Sequence, residues 1–122
     1  MLDFIYHTKF EKEIAALRRQ FCNIDEAIKI FQRLCEVQFN TSSPQSIIAP
    51  AKLHRVKQSD IWTLWKIELA VPKSNLRPNQ FPRLWFCVQG GRIAFLCIAT
   101  HIDNYSDNGM ADIALERATD IF

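Results

Sequence analysis

The segment from Phe81 to His101, FPRLWFCVQGGRIAFLCIATH, constrains the fold of this chain more than any other. Two arms rich in aromatic and β-branched residues flank the pair Gly90-Gly91, and glycine readily takes the positive φ angles that a two-residue hairpin turn requires. We therefore predict a β-hairpin. Strict pairing from this turn sets Gln89 opposite Arg92, Cys87 opposite Ala94, Trp85 opposite Leu96, Leu84 opposite Cys97 and Arg83 opposite Ile98.

The composition is that of an ordinary globular protein. The chain has 122 residues, of which 48% are hydrophobic and 23% charged, so it is long enough to bury one core. It contains no run of about 18 apolar residues that would span a membrane. The opening MLDFIYHTKF lacks the basic and apolar regions of a signal peptide. We expect a single cytoplasmic domain over residues 1–122, with no membrane partner.

The four cysteines, at positions 22, 35, 87 and 97, show no C-x-x-C pair and no spacing typical of a metal site. We expect all four to be reduced, small core side chains. No bound metal or other cofactor is predicted.

Charge is distributed unevenly, although the formal net charge is only +2. Eight basic and two acidic residues lie between Lys52 and Arg92, whereas acidic residues dominate after His101. Such a basic middle indicates either a polyanionic partner such as nucleic acid or an unevenly charged, solvated surface.

Hydrophobic periodicity predicts the remaining elements. A short strand opens the chain, and we expect Thr8, three residues before Glu11, to cap the helix that follows. A second helix begins after Asn23 and ends near Phe39, residues 61–71 alternate as a strand, and MADIALERATDI forms a final helix. The prediction is an α+β domain with a small antiparallel sheet, an N-terminal helical hairpin and a C-terminal helix.

The order and spacing of these segments resemble the RelE/ParE superfamily of toxins from toxin-antitoxin systems. FIYHTKFEKEIAAL resembles the family's opening strand and first helix, and IDEAIKIFQRL its second helix. IWTLWKIEL is similar to its tryptophan-bearing strand, FPRLWFCVQGGRIAFLCIATH to its arginine-led hairpin, and MADIALERATDI to its closing helix. The resemblance implies a RelE-like β-α-α-β-β-β-α fold and a toxin that a cognate antitoxin neutralises. Many members are endoribonucleases that cut mRNA on the ribosome.

The resemblance also implies a set of catalytic residues. Arg83 matches the hairpin arginine that binds phosphate, and Lys66 matches a strand position that is often basic and catalytic. Glu68, which strict alternation places on the same face as Lys66, matches a variable polar position. His101 and Tyr105 fall in the region before the last helix, which supplies further catalytic residues in the family.

RNA cleavage by the neighbouring 2′-hydroxyl, without a metal, needs a base, cations on the phosphate and an acid for the leaving oxygen. Arg83 suits the cation role because a guanidinium presents a rigid fork of donors, and Lys66 is a second cation. Glu68 or His101 is the candidate base. Tyr105 or His101 is the candidate acid, and Tyr105 alternatively stacks on a nucleobase. Six further residues are candidates for binding the RNA backbone: Lys52, His54, Arg55, Lys57, Lys73 and Arg77.

Purely structural roles remain open for each candidate. For Arg83 the alternative is an ion pair with Glu68 or with an acid of the last helix, and for Lys66 it is a pair with Glu68. Strict alternation also places Arg83 and His101 on opposite faces, so they share a site only if the chain twists or bulges near Thr100. Two other functions fit the resemblance: a non-enzymatic inhibitor of a target such as DNA gyrase, and a degenerate toxin that only binds its antitoxin.

Overall fold

The computed structural model describes residues 2–100 and 105–122, and this part of the chain confirms the α+β class. A short 3-10 helix, Pro78–Gln80, precedes the fourth strand. The other elements are, in chain order, β1 Asp3–Tyr6, α1 Thr8–Leu17, α2 Ile24–Gln38, β2 Leu53–Gln58, β3 Thr63–Glu68, β4 Arg83–Gln89, β5 Arg92–Ala99 and α3 Asp107–Thr119.

The strands form one sheet in the order β1-β5-β4-β3-β2. Three neighbouring pairs are antiparallel, but β1 runs parallel to β5, so the sheet is mixed and the prediction of an antiparallel sheet is wrong for β1. No tight turn joins β1 to β5, and connectivity therefore does not fix its direction. Packing favours this position, because the rings of Phe4 and Tyr6 lie 5.8 and 5.3 Å from that of Phe95.

Strand β2 is an element that the hydrophobic pattern did not predict. Its sequence LHRVKQ has no apolar alternation, and every residue after Leu53 is exposed. The physical reason is its position at the edge of the sheet, where both faces meet solvent and charged side chains discourage pairing with other chains. The element order therefore contains one more strand than predicted.

The sheet has a different cover on each face. The helical-hairpin face packs sheet residues such as Phe86 and Phe95 against α1 and α2. The α3 face packs Leu64, Trp85 and Cys87 against α3, whose buried positions include Ala114 and Ala118. Both alanines are small, so the helix approaches the sheet closely. The alternation predicted for β3 is confirmed, because Trp65 and Ile67 belong to the first face and Leu64 to the second.

The helix starts differ in part from the prediction. His7, and not Thr8, is the N-cap of α1, and its Nδ1 accepts a hydrogen bond from the Lys9 main-chain N–H at 3.1 Å. Asn23 precedes α2 as predicted, but its side chain does not cap the helix. The Asn23 amide donates instead to the Pro72 carbonyl at 2.9 Å, which ties the helical hairpin to the loop after β3.

The β4–β5 hairpin keeps the predicted register only near its turn. Gln89 pairs with Arg92 and Cys87 with Ala94, and Gly90 has a φ of 55°. A bulge then shifts the register, because β5 contains one residue more than β4 over this stretch. The observed pairs beyond the bulge are Trp85 with Cys97, Leu84 with Ile98 and Arg83 with Ala99, which corrects the three pairs that strict pairing predicted.

Three of the four free cysteines are buried, whereas Cys22 is exposed, so the core prediction is wrong for Cys22. Cys22 lies between α1 and α2, outside the helical faces that form the core. Burial raises the pKa of Cys87 and of Cys97 to about 12. Within the part of the chain that the structure describes, no helix has both the length and the apolar character needed to cross a membrane.

Candidate functional site

Lys66 stands in the middle of a row of side chains on the α3 face. His54 on β2 and Trp85 on β4 are its direct neighbours across the sheet. Directly paired residues have Cβ atoms about 5 Å apart. Lys66 Nζ also lies 3.4 Å from Asp107 Oδ2, and the Tyr105 ring meets Trp85 edge-on with 5.8 Å between ring centroids. The start of α3 therefore closes one side of this row.

Arg83 and Glu68 form the next row, two residues further along β3. Arg83 Nη2 lies 3.6 Å from Glu68 Oε1, and the two side chains are only 17% and 26% exposed. The guanidinium also donates from Nη1 to the Phe81 carbonyl and from Nη2 to the Asn79 carbonyl at 3.4 Å. These bonds hold the guanidinium at the entry of β4. The pairing of Arg83 with Glu68, one of the predicted structural roles, is thus present.

The two rows bring together most of the predicted catalytic residues. Two cations, Lys66 and Arg83, lie on one face, about 7 Å apart along the strand direction, with Glu68 and Tyr105 beside them. Each cation has its own carboxylate, so an incoming phosphate has to compete with Asp107 and Glu68. The arrangement brings cations, carboxylates and a phenol together on one face of the sheet, and metal-free RNA cleavage needs cations, a base and an acid of these kinds.

The predicted RNA-binding residues of β2 divide between the two faces. Because of a bulge between Arg55 and Lys57, Lys57 lies opposite Leu64, whose side chain is on the α3 face. His54 lies opposite Lys66 and is therefore on the same face. Arg55 pairs with Trp65 on the helical-hairpin face. His54 and Lys57 therefore lie with the candidate site, and Arg55 does not.

The remaining predicted RNA-binding residues lie elsewhere. Lys52 lines a groove beside α2, Lys73 lies next to Phe21 and Asn23 near the connection of α1 and α2, and Arg77 is exposed in the loop before β4. The structure does not bring these three basic residues into the two rows.

The catalytic candidate His101 lies outside the described residues. Asp107 was not predicted as a site residue, although Ser106-Asp107 before an apolar run is a typical helix start, and Ser106 Oγ indeed accepts from the Gly109 N–H at 3.0 Å. That pattern locates a helix N-terminus but not the lysine that its acidic residue contacts.

An apolar groove lies on the other side of the sheet, between α2 and β3. Its cavity measures about 290 Å³ and is lined mainly by aliphatic side chains, among them Ile30, Leu34, Ile47 and Leu69. Ile30, Leu34 and Ile47 are at least one-third exposed. Lys52 and Glu68 are its charged lining residues, and Glu68 is the residue that pairs with Arg83 in the second row.

No cluster of three His, Cys, Asp or Glu side chains that would hold a metal occurs within residues 2–100 and 105–122. Comparisons with protein-family models, with curated proteins and with solved structures found no match.

Proposed function

We propose that this protein is a toxin of the RelE/ParE type, with a RelE-like fold, that cuts mRNA on the ribosome without a metal and is neutralised by a cognate antitoxin. The supporting observation is that Lys66, Glu68, Arg83 and Tyr105, which the sequence resemblance selects, lie together on one face of the sheet. These residues come from three separate places in the sequence, namely β3, the start of β4 and the segment before α3, and their convergence on one face supports a shared role.

In the proposed reaction, the Arg83 fork binds the non-bridging oxygens of the scissile phosphate and displaces Glu68 from the ion pair. The same guanidinium stabilises the charge that builds on the phosphorane, and Lys66, the second cation, binds the neighbouring phosphate of the RNA. The freed Glu68 carboxylate removes the proton of the 2′-hydroxyl, whose oxygen forms a bond to phosphorus while the bond from phosphorus to the 5′-oxygen breaks. Tyr105 donates a proton to the leaving oxygen, and His101 is a predicted alternative donor. The products are a 2′,3′-cyclic phosphate and a 5′-hydroxyl.

Replacing Arg83 tests this function directly. The chain is expressed alone, and growth and the 5′ ends of cellular mRNA are measured for the wild type, Arg83→Ala and Arg83→Lys. Losing one preorganised donor to the phosphate costs about 10² to 10³ in rate, so Arg83→Ala should abolish arrest and new ends. Arg83→Lys keeps the charge but not the planar fork of donors, and it should recover little of the growth arrest or of the mRNA cleavage.

The matched control is Arg92→Ala, which removes an exposed arginine at the turn end of the same hairpin. It should leave growth arrest and mRNA cleavage as in the wild type. The nuclease function is wrong if growth stops without new mRNA ends, or if Arg83→Ala cuts as efficiently as the wild type.

A second candidate function is non-enzymatic inhibition of a target such as DNA gyrase. The observation that favours it is that each cation of the site is already paired with a carboxylate, so an apolar protein surface elsewhere could carry the activity. This alternative predicts blocked supercoiling with purified gyrase and no RNA cleavage. If neither occurs, a degenerate toxin that only binds its antitoxin becomes the better explanation. All three functions predict a short neighbouring reading frame that encodes the antitoxin.

A further inference from the structure

Three cations on the α3 face form a diagonal across β4, β3 and β2. Arg83 lies level with Glu68 of β3, Lys66 lies two residues further along, and Lys57 pairs with Leu64, two residues beyond that. Each step therefore moves one strand sideways and two residues along the strand. With strands about 4.8 Å apart and a rise of about 3.4 Å per residue, successive Cα atoms are roughly 8 Å apart.

The β2 bulge places Lys57 on this diagonal. Val56 is the extra residue between Arg55, which pairs with Trp65, and Lys57. In a regular strand without the bulge, Val56 would lie opposite Leu64. Lys57 would then pair with Thr63, and its side chain would lie on the helical-hairpin face. Bulges are known to re-aim side chains in this way, often beside active sites.

Lys57 also differs from the other two cations in its surroundings. Its side chain is exposed, and the described part of the chain contains no carboxylate in ion-pair contact with it, whereas Lys66 contacts Asp107 and Arg83 contacts Glu68. A polyanion can therefore reach Lys57 without displacing an internal partner. β2 is the edge strand, so within the described residues the sheet has no further strand beyond Lys57.

We propose that Arg83, Lys66 and Lys57 bind three consecutive phosphates of one extended RNA strand, which crosses the sheet diagonally and leaves over β2. This inference rests on the proposed function, because Arg83 marks the scissile phosphate. The ligand is a single strand, since an even, shallow series of cations can follow one flexible backbone, and long lysine side chains adjust to its phosphate spacing. Lys57 is then a binding residue for the RNA two phosphates away from the cut.

Arg55 provides a matched control for this proposal. It lies on the same edge strand, carries the same charge and is likewise exposed, but its side chain lies on the opposite face. General attraction between a basic edge and RNA would weaken equally on loss of either residue. A phosphate track on the α3 face, formed by Arg83, Lys66 and Lys57, requires Lys57 but not Arg55.

The experiment measures binding of a fluorescent oligoribonucleotide whose 2′-hydroxyls are methylated, so that it cannot be cut. Fluorescence anisotropy gives the affinity of the wild type, Lys57→Ala and Arg55→Ala over a range of salt concentrations. Lys57→Ala should weaken binding roughly fivefold and reduce the salt slope by about 0.7, the value for one phosphate of a single strand. Arg55→Ala should match the wild type in both.

Equal losses in the two variants, or no binding of the oligonucleotide by the wild type, would overturn the track. Cleavage is measured separately on programmed ribosomes with unmodified mRNA. A protein that cuts mRNA but shows equal losses retains the proposed function without the track. A protein that binds through Lys57 but cuts nothing supports the track as an RNA-binding surface and loses the nuclease function.

Discussion

Glu68→Gln separates the two roles that the proposed reaction gives to one carboxylate. Glu68 is the counter-ion of Arg83, and in the proposed reaction it becomes the base once RNA is bound. Glutamine has nearly the same shape but neither the charge nor the basicity. RNA binding and RNA cleavage should therefore change in opposite directions, which a purely structural role of Glu68 does not predict.

The size of the binding change follows from the geometry of the pair. Arg83 Nη2 and Glu68 Oε1 are 3.6 Å apart, which corresponds to an attraction of about 5 kcal/mol at an effective dielectric constant of about 20, an upper bound. Both side chains keep some contact with solvent, and partly exposed pairs have a net value of about 1 kcal/mol or less. Phosphate binding should thus become up to fivefold tighter.

The cleavage change should be much larger and opposite in sign. Loss of a general base lowers the rate by about 10² to 10⁴. Single-turnover cleavage on programmed ribosomes measures this rate at saturating protein, and anisotropy with the methylated oligonucleotide measures binding. Asp60→Asn is the control, because it removes an exposed negative charge at the β2–β3 turn, away from Arg83. If Glu68→Gln cuts at the wild-type rate, Glu68 is not the base, and unchanged binding would show that the ion pair does not compete with phosphate.

Two further predictions concern the scaffold. Arg117 Nη1 and Nη2 each lie 2.9 Å from an oxygen of Glu13, and Nη1 also donates to a β5 carbonyl, so Arg117→Ala should lower the free energy of unfolding by about 3 kcal/mol in urea titrations. A loss of less than about 1 kcal/mol would contradict this, and adding Glu13→Gln should restore part of the loss because no unpaired carboxylate remains. At pH 8, a disulfide reagent should modify only Cys22 in the folded protein, since burial raises the pKa of Cys87 and Cys97 to about 12. Cys22→Ser should react only after unfolding, and a second fast thiol in the wild type would refute the burial of the other three cysteines.

Hydrophobic periodicity was sufficient to predict the elements that bury one face. Both N-terminal helices, β3 and the β4–β5 hairpin each carry an apolar stripe or alternation, and all are present. Strand β2 has no such pattern because both its faces are exposed. The direction of β1 depends on how Phe4 and Tyr6 pack against a strand that follows much later in the sequence, which no local pattern encodes.

The candidate site was predictable only where strict alternation holds. Lys66 and Glu68 were placed on one face correctly, because β3 is regular between them. The two bulges break the alternation of β2 and β5 and change which residues lie opposite the site. The bulge in β2 places Lys57, and not Val56, opposite Leu64. The bulge in β5 places Ala99, and not Ile98, opposite Arg83. A bulge has no reliable compositional signal, so these two assignments needed the structure.

The ion pairs of the site reconcile a net charge of only +2 with the proposed function. Lys66 and Arg83 each hold a carboxylate, so the site has little long-range field to attract RNA. Recognition in the proposed reaction then depends on geometry at short range, where the planar fork of Arg83 binds two phosphate oxygens and a carboxylate at 3.6 Å is easily exchanged. Lys57, exposed at the edge of the same face, is the cation best placed to supply the first attraction, which is why its loss should change the salt dependence of binding.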